Sequence, residues 1–266
     1  MSADGSPYVA MGSSFAAGPG IMPRTPRSPR AAGRSERNYA HLLAARLGLR
    51  LDDRTFSGAT VAQIAGVAVG QRRPPQVEAV GGATRLVTIT AGGNDLGFLP
   101  RLTFASLPAP LRLPRWRRRV AELGDPRAVD DAFDALGSDL AALCQTIRRR
   151  SDAVIVLTDY LTILPFEPER DVAPMPVEIR DWGQGVAARL SGVIAAVAES
   201  EGAIFTALAD ASRDHHAWAP SPWTSRFHLS LRGGAPYHPN AAGMEAAARL
   251  VEAALQPHRD RLGLTA

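Results

Sequence analysis

The stretch from Tyr8 to Gly20, YVAMGSSFAAGPG, decides how we interpret the rest of the chain. Its apolar run, Tyr8–Met11, stops at Gly12, and two serines follow before a segment of small residues. This pattern predicts a buried strand that delivers a serine at its carboxyl end, where the chain turns into a loop or helix. Open α/β sheets place their active sites at that end of the strands. We therefore take Ser14 as the candidate nucleophile.

Other short apolar runs bounded by turn residues predict further strands. These runs are Leu49–Phe56, Arg85–Thr90, Ala153–Thr158 and Ala203–Ala207. Helical spacing predicts helices at Tyr39–Leu47, Asp130–Arg150, Val177–Gly202 and Ala241–Leu255. Strands that alternate with helices form a parallel sheet covered on both faces. The predicted fold class is α/β with a parallel sheet of about five strands. Because the composition does not change along the 266 residues, we expect one domain, 1–266.

The composition is that of an ordinary globular protein, with 45% hydrophobic and 21% charged residues. The net charge is +4, and every basic side chain is arginine, concentrated in Arg24–Arg37 and Arg112–Arg119. These runs lack the interleaved aromatic residues of a nucleic-acid-binding module, so we expect no nucleic-acid partner. The N-terminal residues do not resemble a signal peptide, and no apolar run approaches the ~20 residues of a transmembrane segment. We therefore expect a cytoplasmic protein, with Cys144 as a buried thiol in an apolar helix.

Several common site motifs are excluded. A dinucleotide site needs G-x-G-x-x-G after the first strand, but Gly18-Pro19-Gly20 is followed by Ile-Met-Pro. Without lysine the chain has no Walker-type phosphate loop. A single cysteine and one close histidine pair, His215-His216, predict no metal site, and we expect no cofactor. Ala16 stands where the G-x-S-x-G elbow has its second glycine.

The remaining site candidates are four residues that follow predicted strands or begin a helix: Ser14, Gly58, Asn94 and His238. Acyl transfer needs a hydroxyl nucleophile and an imidazole base, which Ser14 and His238 provide. It also needs donors for the developing oxyanion. The backbone N–H groups of Ser14 and Gly58 and the side-chain amide of Asn94 supply three. Taken singly, each of these residues also fits an ordinary turn or helix cap.

Four blocks of the sequence together resemble the SGNH (GDSL) hydrolase superfamily. They are MGSSFAAG, FSGAT, TAGGND and YHPNAAG, and they carry the signature residues in the order of the family, Ser14, Gly58, Asn94 and His238. The blocks span nearly the whole chain. The resemblance implies a flavodoxin-like three-layer α/β/α sandwich. It also implies metal-free hydrolysis of a small or lipid acyl ester through an acyl-enzyme.

Two positions depart from the pattern of the family. Ser13 replaces the aspartate of Gly-Asp-Ser, which we expect to alter loop packing rather than activity. Ala235 lies three residues before His238, where the family usually places an aspartate. Some members orient the histidine with a main-chain carbonyl, and we expect the backbone carbonyl of Ala235 to do so. The alternative is a carboxylate from the preceding loop, Asp210 or Asp214.

The predicted function is therefore that of a serine esterase or lipase with a small-molecule ester substrate. Two alternatives stay open: a thioesterase or carbohydrate deacetylase with the same residues, and a catalytically silent binding domain of the same fold. The Pro- and Leu-rich segment Phe98–Arg119 follows the Asn94 block and predicts an irregular cap or insertion at the mouth of the site. Its apolar residues are expected to line the acyl chain: Leu102, Phe104, Leu107 and Leu111.

Overall fold

A five-stranded parallel sheet forms the centre of the molecule. The computed structural model describes residues 5–112, 125–229 and 234–264. Within these ranges the strands are Pro7–Gly12 (β1), Arg50–Asp53 (β2), Leu86–Thr90 (β3), Val154–Thr158 (β4) and Ile204–Thr206 (β5). Their order is β2-β1-β3-β4-β5. The five predicted strands are confirmed, with bounds that differ by a few residues.

The burial of each strand matches its position in the sheet. The strands β3 and β4, LVTIT and VIVLT, are buried at every position, as β-branched strands between two helical layers should be. At the edges, β2 (RLDD) and β5 (IFT) are partly exposed. The register places Val9 of β1 beside Val87 of β3, which in turn lies beside Ile155 of β4.

Helices cover both faces of the sheet. In the described ranges the α-helices are Ser14–Ala17 (α1), Tyr39–Leu47 (α2), Val61–Ala65 (α3), Phe98–Ser106 (α4), Pro126–Arg150 (α5), Val177–Ser200 (α6), Leu208–Ala211 (α7) and Ala241–Leu255 (α8). Helices α2 and α8 pack together on one face, and α3, α5 and α6 pack on the other. The arrangement is the flavodoxin-like three-layer sandwich that the resemblance implied. None of the described helices is long and apolar enough to cross a membrane.

The structure corrects the prediction for the segment Phe98–Arg119. Residues 98–106 form the regular helix α4, because Pro100 falls in the first turn, where proline is tolerated. Leu102 is fully buried and lies against Gly183 of α6, so it belongs to the core and not to a wall of the site. Residues 113–119 of the predicted cap lie outside the described residues.

Helix α5 begins at Pro126, four residues before the predicted start at Asp130. Proline at a helix start leaves no intrahelical hydrogen bond unmade. Cys144 in this helix is fully buried, as predicted, and burial raises the pKa of its thiol to about 12.

Gly12 ends β1 and lets the chain turn towards Ser14. Its φ is +144°, and a Cβ built there would lie 2.4 Å from the carbonyl oxygen of Thr90 on β3. The position therefore requires glycine for both its conformation and its close contact. Gly12 is thus at the end of β1 that faces β3. The strand order reverses between these two strands, and open α/β sheets bind their ligands at such a point.

We predict that Gly12→Ala destabilises the protein by about 3 kcal/mol or more, since it adds both backbone strain and a clash with main chain. For a chain of this size that corresponds to a fall in Tm of roughly 6–12 °C. The control is Gly82→Ala, where a built Cβ meets no described atom within 4 Å. Equal melting temperatures for the two variants would show that Gly12 is not constrained.

Candidate active site

Ser14 and His238 meet at the carboxyl end of β1. Ser14 is the first residue of α1, and the backbone N–H of Ser13 before it donates to the Thr90 carbonyl at 3.0 Å. The Oγ atom of Ser14 lies 2.7 Å from Nε2 of His238. Both residues are 8% exposed. The structure thus brings together two residues that lie 224 positions apart in the sequence.

The other ring nitrogen of His238 fixes the tautomer. Nδ1 lies 2.8 Å from the carbonyl oxygen of Pro236. Because a carbonyl oxygen only accepts hydrogen bonds, Nδ1 carries the ring proton and donates a hydrogen bond to the Pro236 carbonyl. Nε2 then has a lone pair directed at Ser14, whose hydroxyl donates to it. This is the arrangement that a general base requires.

The acceptor is not the one that we predicted. The carbonyl of Ala235 accepts a 3.3 Å hydrogen bond from Ser225 Oγ instead. The physical reason is the backbone of Tyr237, whose φ of +63° lies in the left-handed region. This conformation folds the chain back, so the carbonyl two residues before His238 meets the ring, rather than the one three residues before it.

No described carboxylate lies within 4.0 Å of the His238 ring. Of the two alternatives, Asp214 is exposed, and Asp210 lines a separate cavity between α6 and the loop after β4. Burial lowers the pKa of His238 to about 4, and the hydrogen bond to Pro236 opposes that shift only in part. The imidazole is therefore neutral at pH 7.

The side chain of Tyr237 anchors this turn in the protein. A left-handed φ is uncommon for a bulky residue and persists only where the surroundings hold it. The Tyr237 side chain is fully buried, and its hydroxyl lies 2.6 Å from Ser106 Oγ at the end of α4. Ser106 donates to the Leu102 carbonyl, so Tyr237 is the donor in that pair. Helix α4 thus holds the turn that orients His238. No local pattern predicts this contact, because Ser106 and Tyr237 lie 131 positions apart.

The two predicted oxyanion segments are joined to each other. Nδ2 of Asn94 donates to the carbonyl of Ala59 at 2.9 Å, which leaves its second hydrogen for another acceptor. Gly58 has a φ of +81°, and no described atom lies within 4 Å of where its Cβ would be. Asp95 accepts a hydrogen bond from the backbone N–H of Val61 at 2.9 Å and so ties the Asn94 loop to the start of α3.

Tyr160, which the sequence analysis did not identify as a site residue, contacts residues next to Ser14 and Asn94. Its ring lies 4.5 Å from that of Phe15, which in turn lies 5.7 Å from the ring of His238. The Tyr160 hydroxyl accepts a hydrogen bond from the backbone N–H of Gly93 at 2.9 Å. Ser13, which replaces the aspartate of the family, is buried, and its backbone N–H bonds the Thr90 carbonyl.

Comparison with known proteins now identifies the family. The sequence profile of the GDSL-like lipase/acylhydrolase family matches residues 10–246. The chain belongs to this family. It is 30% identical over 250 residues to Lipase 2 of Streptomyces coelicolor, covering 89% of this chain and 81% of the relative. This member of the GDSL-like family is therefore an ester-bond hydrolase.

Solved structures show the same fold. The extracellular lipase of Streptomyces rimosus superposes with a TM-score of 0.76 at 23% identity, over 94% of this chain and 99% of that one. Phospholipase A1 of Streptomyces albidoflavus gives a TM-score of 0.73 at 23% identity with the same coverage. Because the first of these enzymes is extracellular, the cytoplasmic location expected for this GDSL-family chain stays a prediction.

We predict that kcat/KM falls at acidic pH with an apparent pKa near 4, well below the ordinary histidine value of 6.5. Only neutral His238 accepts the serine proton, so activity is present above this pKa and is lost as pH falls through it. The measurement is a pH profile of kcat/KM with an uncharged ester, with thermal melting at each pH as the control for unfolding. An acid limb at pH 6.5 or above would contradict the assignment.

We predict that Tyr237→Phe lowers kcat about tenfold and changes KM little, because the loss of one buried hydrogen bond, about 1.4 kcal/mol, loosens the turn that orients His238. Tyr8→Phe is the matched control, since it removes a buried hydroxyl that bonds Thr88 within the sheet. Both variants are assayed below their melting temperatures. An unchanged kcat in Tyr237→Phe would show that the turn holds without this bond.

Proposed function

We propose that this chain hydrolyses esters through an acyl-enzyme, with Ser14 as nucleophile and His238 as general base and acid. The observation that carries the proposal is the 2.7 Å contact between Ser14 Oγ and the unprotonated Nε2 of His238. A silent binding domain would not need this pairing or the buried turn that maintains it.

In the first half-reaction, Oγ of Ser14 attacks the acyl carbonyl carbon while Nε2 of His238 takes the hydroxyl proton. The oxyanion that forms accepts hydrogen bonds from the backbone N–H groups of Ser14 and Gly58 and from the remaining Nδ2 hydrogen of Asn94. As the tetrahedral intermediate collapses, Nε2–H gives its proton to the leaving alcohol. The acyl group is then bonded to Ser14.

Water completes the cycle. His238 Nε2 takes a proton from water as its oxygen attacks the acyl carbon, and the proton passes to Ser14 Oγ when the acid leaves. In both halves the imidazolium is stabilised by the Pro236 carbonyl, a neutral dipole. A dipole stabilises a cation less than a carboxylate does, so we expect slower turnover than with a complete triad.

The substrate is proposed to be a small or lipid acyl ester. A thioesterase or carbohydrate deacetylase would use the same residues, so the distinction lies in the leaving group. We would compare p-nitrophenyl esters of graded chain length with an acyl thioester and an acetylated sugar. The substrate with the highest kcat/KM identifies the class.

We predict that Ser14→Ala abolishes ester hydrolysis, with a loss on the order of 10⁶ in kcat, while the protein stays folded. A fluorophosphonate is expected to label the parent on the peptide that contains Ser14 and to leave the variant unlabelled. Ser13→Ala is the matched control and is expected to stay within about tenfold of the parent, since the Ser13 side chain makes no hydrogen bond to Ser14 or His238 in the described structure. Loss of activity in Ser13→Ala with normal activity in Ser14→Ala would overturn the assignment of the nucleophile.

A further inference from the structure

A basic cavity lies beside the oxyanion segment. Its volume is about 470 Å³, and four arginines are among the residues that line it, Arg34, Arg54, Arg72 and Arg73. Phe56 and Val69 supply apolar surface in the same cavity. We call this space the basic cavity.

The basic cavity shares its wall with the catalytic segments. Gln76 lines it and bonds Gly12 twice, accepting from its N–H at 2.8 Å and donating to its carbonyl at 3.0 Å. Gly12 precedes Ser14 by two residues. Ala59 also lines the cavity, follows Gly58 directly and accepts the hydrogen bond of Asn94. The cavity therefore adjoins the chain segments that carry Ser14 and Gly58.

The positive charge in the cavity is only partly compensated. Arg54 lies 2.7 Å from Asp52, and Arg34 lies 3.9 Å from Asp53. Neither Arg72 nor Arg73 has a carboxylate within 4.0 Å among the described residues. Two cations are thus available to an anion.

Two of these arginines are held in place rather than extended freely into water. The guanidinium of Arg73 lies 3.8 Å above the ring of Phe56, a cation–π contact that fixes its plane. Arg34 is 17% exposed, and its Nε donates to the Thr55 carbonyl at 2.6 Å. Burial lowers the pKa of Arg34, which a bound anion would oppose. Planar guanidinium groups held in this way suit the oxygens of phosphate or carboxylate.

We propose that the basic cavity binds an anionic phosphate or carboxylate group of the ester substrate. This inference rests on the proposed function of Ser14 and His238. The fully exposed side chain of Val69 and the ring of Phe56 favour an amphiphilic ester over a bare ion, because they place apolar surface beside the cations. The cavity is the size of a head group and not of a polyanionic strand.

The test compares two soluble esters that differ only in a phosphate, 1-hexanoylglycerol 3-phosphate and 1-hexanoylglycerol. The parent is expected to prefer the phosphate ester in kcat/KM by at least about tenfold at low ionic strength, and the preference should shrink towards 1 M salt, where the Debye length falls to about 3 Å. In Arg72→Gln/Arg73→Gln the ratio of the two kcat/KM values should fall about tenfold, mainly through the KM of the phosphate ester.

The matched control is Arg127→Gln/Arg149→Gln, which removes the same charge from exposed positions of α5 outside the cavity and should keep the ratio of the parent. An equal fall in the ratio for both double variants would overturn the proposal, because net charge and not the cavity would then set the preference. If the parent hydrolyses the neutral ester without preferring the phosphate ester, this inference alone fails. If neither ester is hydrolysed and no fluorophosphonate label appears on Ser14, the proposed function itself fails.

Inhibition by inorganic phosphate distinguishes the two possible ligands of the basic cavity, the phosphate group of an ester substrate and free phosphate. If millimolar phosphate inhibits hydrolysis of the neutral ester in the parent but not in Arg72→Gln/Arg73→Gln, and the phosphate ester is not preferred, the cavity binds free phosphate and the proposal is wrong. Competitive inhibition by phosphate against a preferred phosphate ester supports it.

Discussion

The hydrogen bond from His238 Nδ1 to the Pro236 carbonyl is the interaction on which the rest of the site depends. It fixes the tautomer without a charged partner, so the lone pair of Nε2 faces Ser14. A carbonyl two residues before the ring can reach it only if the residue between them folds back. The left-handed conformation of Tyr237 meets this condition, and the bond to Ser106 extends the dependence to helix α4. Helix α4 thereby helps to position His238 through Tyr237.

The strand ends around Ser14 are cross-linked by side chains in a comparable way. Gln76 pairs with both polar groups of Gly12, and Asn94 bonds Ala59 of the neighbouring segment. Tyr160 holds the backbone of Gly93 from the loop after β4. Where the regular hydrogen bonding of the strands ends, side chains satisfy backbone groups that would otherwise be buried without a partner. The result is a set of strand-end segments held in fixed relation to one another.

Local patterns in the sequence predicted the sheet, and they singled out Ser14 and His238, which the structure brings into contact. Buried strands such as Val154–Thr158 carry their own signal in β-branched residues, and Ser14 and His238 lie in blocks with a recognisable spacing. The identity of the orienting carbonyl had no such signal. It depends on one backbone angle at Tyr237, which tertiary contacts impose against the preference of the residue.

Burial of polar residues was also hard to predict. His216 lies in a polar stretch of the sequence, which favours a solvated side chain, yet it is 4% exposed. Its environment comes from residues distant in sequence, among them Glu167, 3.7 Å away. The prediction at the start of α4 is wrong for a different reason. Pro100 suggests irregular chain, but the first turn of a helix accepts proline, and Pro100 falls in that turn.

The central claim is that a main-chain carbonyl, and not a carboxylate, holds His238, the proposed general base, in one neutral tautomer. The most direct measurement is ¹⁵N NMR of the histidine side chains at pH 7, with His238 assigned by comparison with His238→Gln. The account predicts a protonated Nδ1 and an unprotonated Nε2 that couple to different sets of ring protons, unchanged from pH 7 down to about pH 5. A doubly protonated ring at pH 7, or a proton on Nε2 alone, would contradict it.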